Sequence, residues 1–210
     1  MNSSSSSILS QLEQEQLIEK LQLFKIQGRD KRGRNILRII GKLFPARLVS
    51  VEALNKYLEE KIFPRFGEGA FSVVYVHTGV QRCDNFPGIS ALRSLYEAIP
   101  INVKDHLETV YFLHPRLQSR LFLATFGRLL FSGGLYWKVK YVNRLEFLWE
   151  HMRRNEMEIP DFVFDHEEEL EDRPIPMLDY YGLESDHPRD YCASLVVDSP
   201  LSTYSMRCIS

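Results

Sequence analysis

Hydrophobic and polar residues follow two alternating periods along the middle of the chain. Runs of β-branched and aromatic residues, FSVVYVH from Phe71 and LETVYFLH from Leu107, predict strands buried on both faces. A third strand is predicted in WKVKYVN from Trp137. Apolar residues at helical spacing, as in GISALRSLYEAI from Gly88, separate these runs. Strand and helix therefore alternate over about residues 71–152, which predicts an α/β fold with a mainly parallel sheet flanked by helices.

Segments on either side of this region complete the predicted domain. Ser10 and Glu13 have the spacing of a capping box and predict a short helix. FKIQGRDKRGRNILRIIG from Phe24 predicts a strand, a basic turn and a second strand, while Ser50 begins a predicted helix. A last helix is predicted over residues 144–155, followed by an extended exit over residues 159–172. We predict a flexible lead and short helix over residues 1–22, one domain over 23–175 and a poorly ordered tail over 176–210.

Residues 117–131, LQSRLFLATFGRLLF, have the length of a helix, but their apolar side chains point in nearly every direction. Only Arg120 and Arg128 carry charge, whereas a surface helix usually has one apolar stripe and one polar face. One interpretation is a helix buried between two layers of the core. The other is a lid whose inner face covers an apolar ligand and whose outer edge meets neighbouring elements or a membrane. In the lid, both arginines extend toward phosphates.

The overall charge of the chain indicates which classes of molecule the protein can bind. The chain has 210 residues and a formal net charge of -2, with 44% hydrophobic and 26% charged residues, which suits one domain with a substantial core. A balance so close to neutral argues against binding to nucleic acid. A basic segment over residues 25–47 and an acidic run over 165–172 are typical of solvated loops. The alternative for the basic segment is contact with anionic lipid headgroups.

Cysteine content and the amino terminus bear on location. Three cysteines at wide spacing predict no disulfide framework and favour a reducing compartment. The Ser- and Gln-rich start lacks the order of a signal peptide, and no uncharged apolar run is long enough to span a bilayer. We therefore predict a cytoplasmic protein whose membrane contact, if any, is peripheral.

Two histidines are the strongest candidates for chemistry. His77 and His114 each end a predicted parallel strand, at the edge where ligand sites of open α/β sheets gather. A general base or a two-histidine metal pair is one interpretation, and a hydrogen-bonded strand end is the favoured one. The sequence offers no third metal ligand at suitable spacing and no nucleophile elbow. The glycine-rich FGEGAFSVV lacks the lysine and aspartate motifs that accompany such a loop in kinases. We predict a protein that is not an enzyme and that uses no metal or cofactor.

The order of these segments resembles the CRAL-TRIO lipid-binding family. YFLHP followed by a long apolar helix, then VKYVN and the IP exit, carries most of the likeness, which covers about residues 24–172. The divergent branch found in ganglioside-induced differentiation-associated proteins and Rho GTPase-activating proteins is the most similar. This resemblance implies a bowl with a sheet as floor and a gating helix over a pocket for a lipid. Residues 117–131 match the gate. The headgroup motif of phosphatidylinositol-transfer members has no match, so phosphoinositide transfer is not implied.

On this alignment, three groups of residues are expected to meet the ligand. The pocket and gate are expected to comprise Leu121, Phe122, Thr125, Phe126, Leu129 and Leu130. The candidate floor residues are Val74, Val76, Val110 and Phe112, and the headgroup contacts are expected from Arg120, Arg128, His77 and His114. The predicted function is non-enzymatic binding of a lipid or other hydrophobic ligand in an apolar pocket closed by residues 117–131. The alternative is a scaffold with a collapsed pocket that binds a small GTPase or a second copy of itself. A cavity above about 300 Å³ beneath this helix would favour the first.

Overall fold

A five-stranded sheet forms the centre of the domain. The computed structural model describes residues 9–130 and 134–172, without the side chains of residues 128–130. The strand order follows the sequence, with the first pair antiparallel and the other three pairs parallel. The α/β class and the mainly parallel sheet are therefore confirmed. The strands are β1 Phe24–Arg29, β2 Asn35–Ile40, β3 Phe71–Val76, β4 Leu107–Leu113 and β5 Val139–Val142.

Eight α-helices flank the sheet within these residues. They are α1 Gln11–Lys20, α2 Val51–Tyr57, α3 Ile89–Ala98, α4 Ile101–His106, α5 Leu117–Leu130, α6 Leu135–Lys138, α7 Leu145–Trp149 and α8 Asp161–Glu171. Short 3₁₀ turns occupy Gly41–Leu43 and Arg154–Glu156. The predicted capping box begins α1 at Ser10. Helix α2 continues as a π-helix over Leu58–Ile62 and a 3₁₀ turn over Phe63–Arg65. Pro64 explains this change, because its ring clashes with an α-helical path and it has no N–H to donate.

Side chains alternate between the two faces of the sheet and build two cores. On one face, here called the α2 face, Leu37 and Val73 pack with Ile18 of α1 and with Leu54 of α2. On the opposite face, here called the α8 face, the buried cluster contains residues of four strands and of α7 and α8. Its members include Ile36, Val74, Val76, Leu113, Leu148 and Val163. Both faces are covered, which explains why the central strands read as nearly continuous apolar runs.

A buried carboxylate organises the predicted basic turn between β1 and β2. Asp30 is 1% exposed, and its carboxylate accepts hydrogen bonds from the amides of Arg32 and Arg34, each at 2.9 Å. The Arg34 guanidinium adds a third at 2.6 Å. Burial by itself would raise the pKa of Asp30, but these hydrogen bonds and the Arg34 charge hold that pKa below its ordinary value. The turn is therefore a fixed structure that holds basic side chains at its surface.

Four expectations from the sequence are wrong. Residues 161–171 form α8 instead of an extended exit, because Val163 packs into the core of the α8 face. The start of the predicted third strand is the helical turn α6, and the last predicted helix ends at Trp149. Cys83 is disulfide-bonded, against the expectation of a chain without disulfides. The predicted tail, residues 176–210, lies outside the described residues.

The prediction that no segment spans a bilayer can be compared with the helices of the described residues. Within the two described ranges, no helix combines the length and the apolar character needed to cross a bilayer.

Candidate functional site

Helix α5 lies over the α2 face, near the carboxyl ends of β3, β4 and β5. At its amino end, the Ser119 hydroxyl is 2.9 Å from Nε2 of His77, and Arg120 hydrogen-bonds to the side chain of Asn143 after β5. Toward its other end, Gly127 approaches Tyr136 so closely that a Cβ at Gly127 would lie 2.9 Å from the ring. Polar contacts therefore hold the start of the helix, and a glycine permits close packing near its end.

The sheet presents a row of aromatic side chains on this face. Tyr75, Phe112 and Tyr141 are directly opposite one another across β3, β4 and β5. The Tyr75 and Phe112 rings stack with centroids 5.2 Å apart, and the Phe112 and Tyr141 rings are 6.1 Å apart. The Arg120 guanidinium carbon lies 5.6 Å from the centroid of the Tyr141 ring. An aromatic surface with a cation at one end therefore lies near the amino end of α5.

The predicted gate residues have unequal environments. Leu121 and Phe126 are 56% and 51% exposed, and Thr125 is exposed with its hydroxyl donating to the Leu121 carbonyl at 2.8 Å. Phe122 is half-buried, with its ring 5.6 Å from that of Phe126. The side chains of Arg128, Leu129 and Leu130 lie outside the described part of the chain. Helix α5 is thus not a strut enclosed in the core, because it carries apolar side chains on its outer surface.

The four predicted floor residues do not share one surface. Val110 and Phe112 lie on the α2 face with α5, whereas Val74 and Val76 are buried in the cluster of the α8 face. The residues of this face that contact the start of α5 are instead His77 and Tyr141. Side-chain direction in a strand reverses at every residue, so an error of one position moves a residue to the other face.

His77 is neutral and lies beneath the start of α5. It is 7% exposed, and Nδ1 has no hydrogen-bond partner among the described residues. Burial, assisted by the charge of Arg116, lowers the pKa of His77 to about 4. The histidine therefore interacts with Ser119 as a neutral ring. This contact matches the favoured interpretation of His77 as a hydrogen-bonded residue at the end of a strand.

His114 is directed to the opposite face of the sheet. Its backbone has a φ of +52°, an uncommon value for a residue other than glycine, and it interrupts the strand alternation that would align His114 with Phe112. Nδ1 lies 2.8 Å from the Thr78 hydroxyl, and Nε2 lies 2.7 Å from the Glu167 carboxylate of α8. Because an ionised carboxylate only accepts, we assign the proton to Nε2 and let the Thr78 hydroxyl donate to Nδ1. The side chains of His77 and His114 thus lie on different faces of the sheet.

Glu167 connects this histidine to two further elements. Its carboxylate accepts from the Leu145 amide at 2.5 Å and from the Arg144 guanidinium at 3.4 Å. Burial lowers the pKa of His114, although Glu167 acts in the opposite direction. These contacts of Glu167 hold α8 against the carboxyl edge of the sheet and the start of α7. It also leaves both nitrogens of His114 occupied, so this histidine has a structural role here.

Replacing Glu167 with alanine is expected to lower the free energy of unfolding by about 2 kcal/mol, because buried donors on His114 and Leu145 lose their acceptor. Urea unfolding followed by circular dichroism measures the change. Glu168→Ala is the matched control, since Glu168 is the exposed neighbour on the same helix. Equal effects from both substitutions would contradict the assigned role.

Two of the cavities among the described residues are large enough for a small ligand, and neither has a lining residue from α5. One of about 430 Å³ lies between the π-helical segment and α4, and another of about 410 Å³ lies beside Gly28 and Glu156. The described residues also contain no group of three or more His, Cys, Asp or Glu side chains able to hold a metal ion.

Sequence reasoning missed several residues that build this site. Ser119, Asn143 and Thr78 hold the histidines and α5, and Tyr75 and Tyr141 extend the aromatic surface. One signal was available for the aromatic row. In three predicted strands, an aromatic residue stands two positions before the polar residue that follows the strand. Aligning the strands by their ends would have placed these aromatic residues side by side.

Comparisons with known proteins show a family for this chain. A family model described as "Divergent CRAL/TRIO domain" matches residues 33–169. The protein GDAP2 homolog of Drosophila melanogaster is 26% identical over 140 residues, which is 67% of this chain and 25% of that protein. Ganglioside-induced differentiation-associated protein 2 of Xenopus tropicalis is 28% identical over 143 residues, 67% of this chain and 28% of that protein.

A second group of relatives carries a different name. Rho GTPase-activating protein 1 of Homo sapiens is 28% identical over 155 residues, 73% of this chain and 34% of that protein. The chain therefore spans between 25% and 34% of the length of these three relatives.

Proposed function

The chain belongs to the divergent CRAL/TRIO domain family, and from that premise we propose that it is a non-enzymatic domain that binds a lipid or other hydrophobic molecule beneath α5. One observation carries the proposal. The start of helix α5 contacts one end of the aromatic row, where Arg120 lies over the Tyr141 ring, while Leu121 and Phe126 of the same helix are more than half exposed. A helix with exposed apolar side chains beside an aromatic surface suits a cover over a hydrophobic ligand.

Binding would require α5 to separate from the sheet. The ligand would replace the contact of Arg120 with Tyr141 and pack against the aromatic row, and each buried methylene contributes about 0.8 kcal/mol. Two polar contacts resist this separation, Ser119 with His77 and Arg120 with Asn143. Pro115 before the helix and Gly134 after it, with a φ of +83°, suit the ends of a segment that moves as a unit.

Peripheral membrane contact completes the proposed mechanism. Besides Leu121 and Phe126, the large exposed apolar side chains near α5 are Trp137 of α6, at 74% exposure, and Tyr141 of the edge strand β5, at 41%. Tryptophan and tyrosine favour the interface between lipid and water, where an apolar ring is buried and its polar atom stays hydrated. These side chains would let the domain rest on a bilayer while α5 opens.

Native mass spectrometry tests the central proposal. Protein purified without detergent is expected to carry a co-purified lipid, released as a defined mass on collisional activation. A protein that emerges without a ligand and also ignores vesicles of phosphatidylcholine and phosphatidylserine would contradict lipid binding.

Phe126→Asp is expected to reduce binding to such vesicles about tenfold, because burial of one phenylalanine contributes about 1.5–3 kcal/mol. Vesicle co-sedimentation measures the bound fraction. Phe164→Asp is the matched control, since Phe164 is 40% exposed on α8, which packs against the other face of the sheet. If both variants lose binding equally, α5 is not the membrane-facing element.

A protein-interaction scaffold is the second candidate function, favoured by the relatives named Rho GTPase-activating proteins. In this alternative the exposed side chains of α5 and α6 bind a small GTPase or a second copy of the domain. Pull-down with a Rho-type GTPase and sedimentation of the protein alone test the two partners. Retention of the partner by a Phe122→Asp and Phe126→Asp double variant would argue against an interface centred on α5.

A further inference from the structure

The 430 Å³ cavity lies apart from α5, at the amino-terminal ends of β3 and β4. Its walls come from the segment that follows α2 and from the start of α4. Phe63, Phe66 and Phe71 supply aromatic walls, with the Phe66 and Phe71 rings stacked at 4.1 Å. Pro100 and Val103 complete the apolar lining. The volume falls within the range of small-molecule sites, which are concave and mostly apolar.

Three polar side chains line the same cavity. The carboxylate of Glu59, the amide of Asn102 and the ring of His106 make no hydrogen bond or ion pair with any residue in the described ranges. Apolar walls with a few convergent polar groups are the usual composition of a ligand site. The polar groups here are thus available to a ligand.

Charge selects the class of ligand. Glu59 is the one acidic side chain among the lining residues, and none of them is lysine or arginine. The nearby cation Lys104 is directed elsewhere, with Nζ 3.2 Å from the Glu97 carbonyl and 4.8 Å from the Tyr96 ring centroid. A carboxylate beside aromatic rings attracts a positive charge, both directly and through the ring faces.

We infer that this cavity binds a small organic cation with an apolar body. The ammonium group would lie beside Glu59, and the apolar part would lie among Phe63, Phe66 and Val103. The inference is independent of lipid binding beneath α5, because the two places share no residue.

Titration of the ¹⁵N-labelled full chain with hexylammonium tests the inference by nuclear magnetic resonance. Amides of residues 58–63, 65–71 and 101–106 are expected to shift, and hexanoate, which carries the opposite charge, is expected to bind at least fivefold more weakly. Glu59→Gln is expected to weaken hexylammonium about fivefold, as for a partly exposed ion pair. Glu60→Gln is the matched control, because Glu60 is the adjacent acidic residue and does not line the cavity.

A second variant tests the position of the ligand independently of its charge. Asn102→Trp places a large ring at an exposed lining position and is expected to reduce hexylammonium binding at least tenfold with an unchanged fold, checked by circular dichroism. Equal affinity for hexylammonium and hexanoate, or unchanged binding in both variants, would overturn the inference. Competition by phosphatidylcholine vesicles would show that a lipid headgroup can supply the cation, and a lack of competition would restrict the site to soluble amines; both results support an organic-cation site.

Discussion

Replacing Asp30 with alanine is expected to lower the free energy of unfolding by about 3–5 kcal/mol, the usual effect of removing one partner from a buried ion pair. Asp30 is 1% exposed, and the Arg34 guanidinium paired with it is mostly buried. Two backbone amides in the turn also lose their acceptor. The loss would be a large part of the stability of an ordinary domain, about 5–15 kcal/mol.

Urea unfolding of three variants separates the causes of this effect. Asp30→Asn retains an oxygen that accepts from the amides but removes the charge, so a smaller loss of about 2 kcal/mol is expected. Asp105→Ala is the control, because Asp105 is an exposed aspartate of α4. A loss below about 1 kcal/mol in Asp30→Ala would show that the turn does not depend on the buried carboxylate.

Lowering the pH from about 7 to 4 is expected to destabilise the domain by about 3 kcal/mol through His77 alone. The folded-state pKa of His77 is about 4, below the ordinary value of 6.5. Between these values the unfolded chain binds a proton that the folded chain does not. The stability is therefore fully present above pH 6.5 and is lost as the pH falls toward 4.

The pH dependence of the unfolding free energy in His77→Gln measures this contribution. Glutamine can retain a hydrogen bond to Ser119 but does not titrate, so the variant profile is expected to be flatter than the parent profile between pH 6.5 and 4. His106→Gln is the control, because His106 ends α4 and lines the cavity at the amino-terminal ends of β3 and β4. Parallel profiles for the parent and His77→Gln would mean that His77 is protonated equally in both states.

Much of the site was predictable, but its division between the two faces was not. The position of His77 and His114 at the carboxyl edge followed from strand length and parallel pairing. The backbone of His114, with its φ of +52°, turns that side chain toward Glu167, a residue 53 positions away. No local pattern encodes this direction, because the partner that stabilises it comes from another element.

The sequence by itself determined most of the segments and their order. Strand periodicity set β3 and β4, and the capping residues Ser10 and Ser50 set the starts of α1 and α2. Both signals are local, since they depend on backbone hydrogen bonds and on neighbouring side chains. Tertiary structure alone decided that residues 161–171 are helical, which strand face meets α5, and where the cavities lie. These properties depend on contacts between residues far apart in the chain, whose free energy is gained only when the layers pack together.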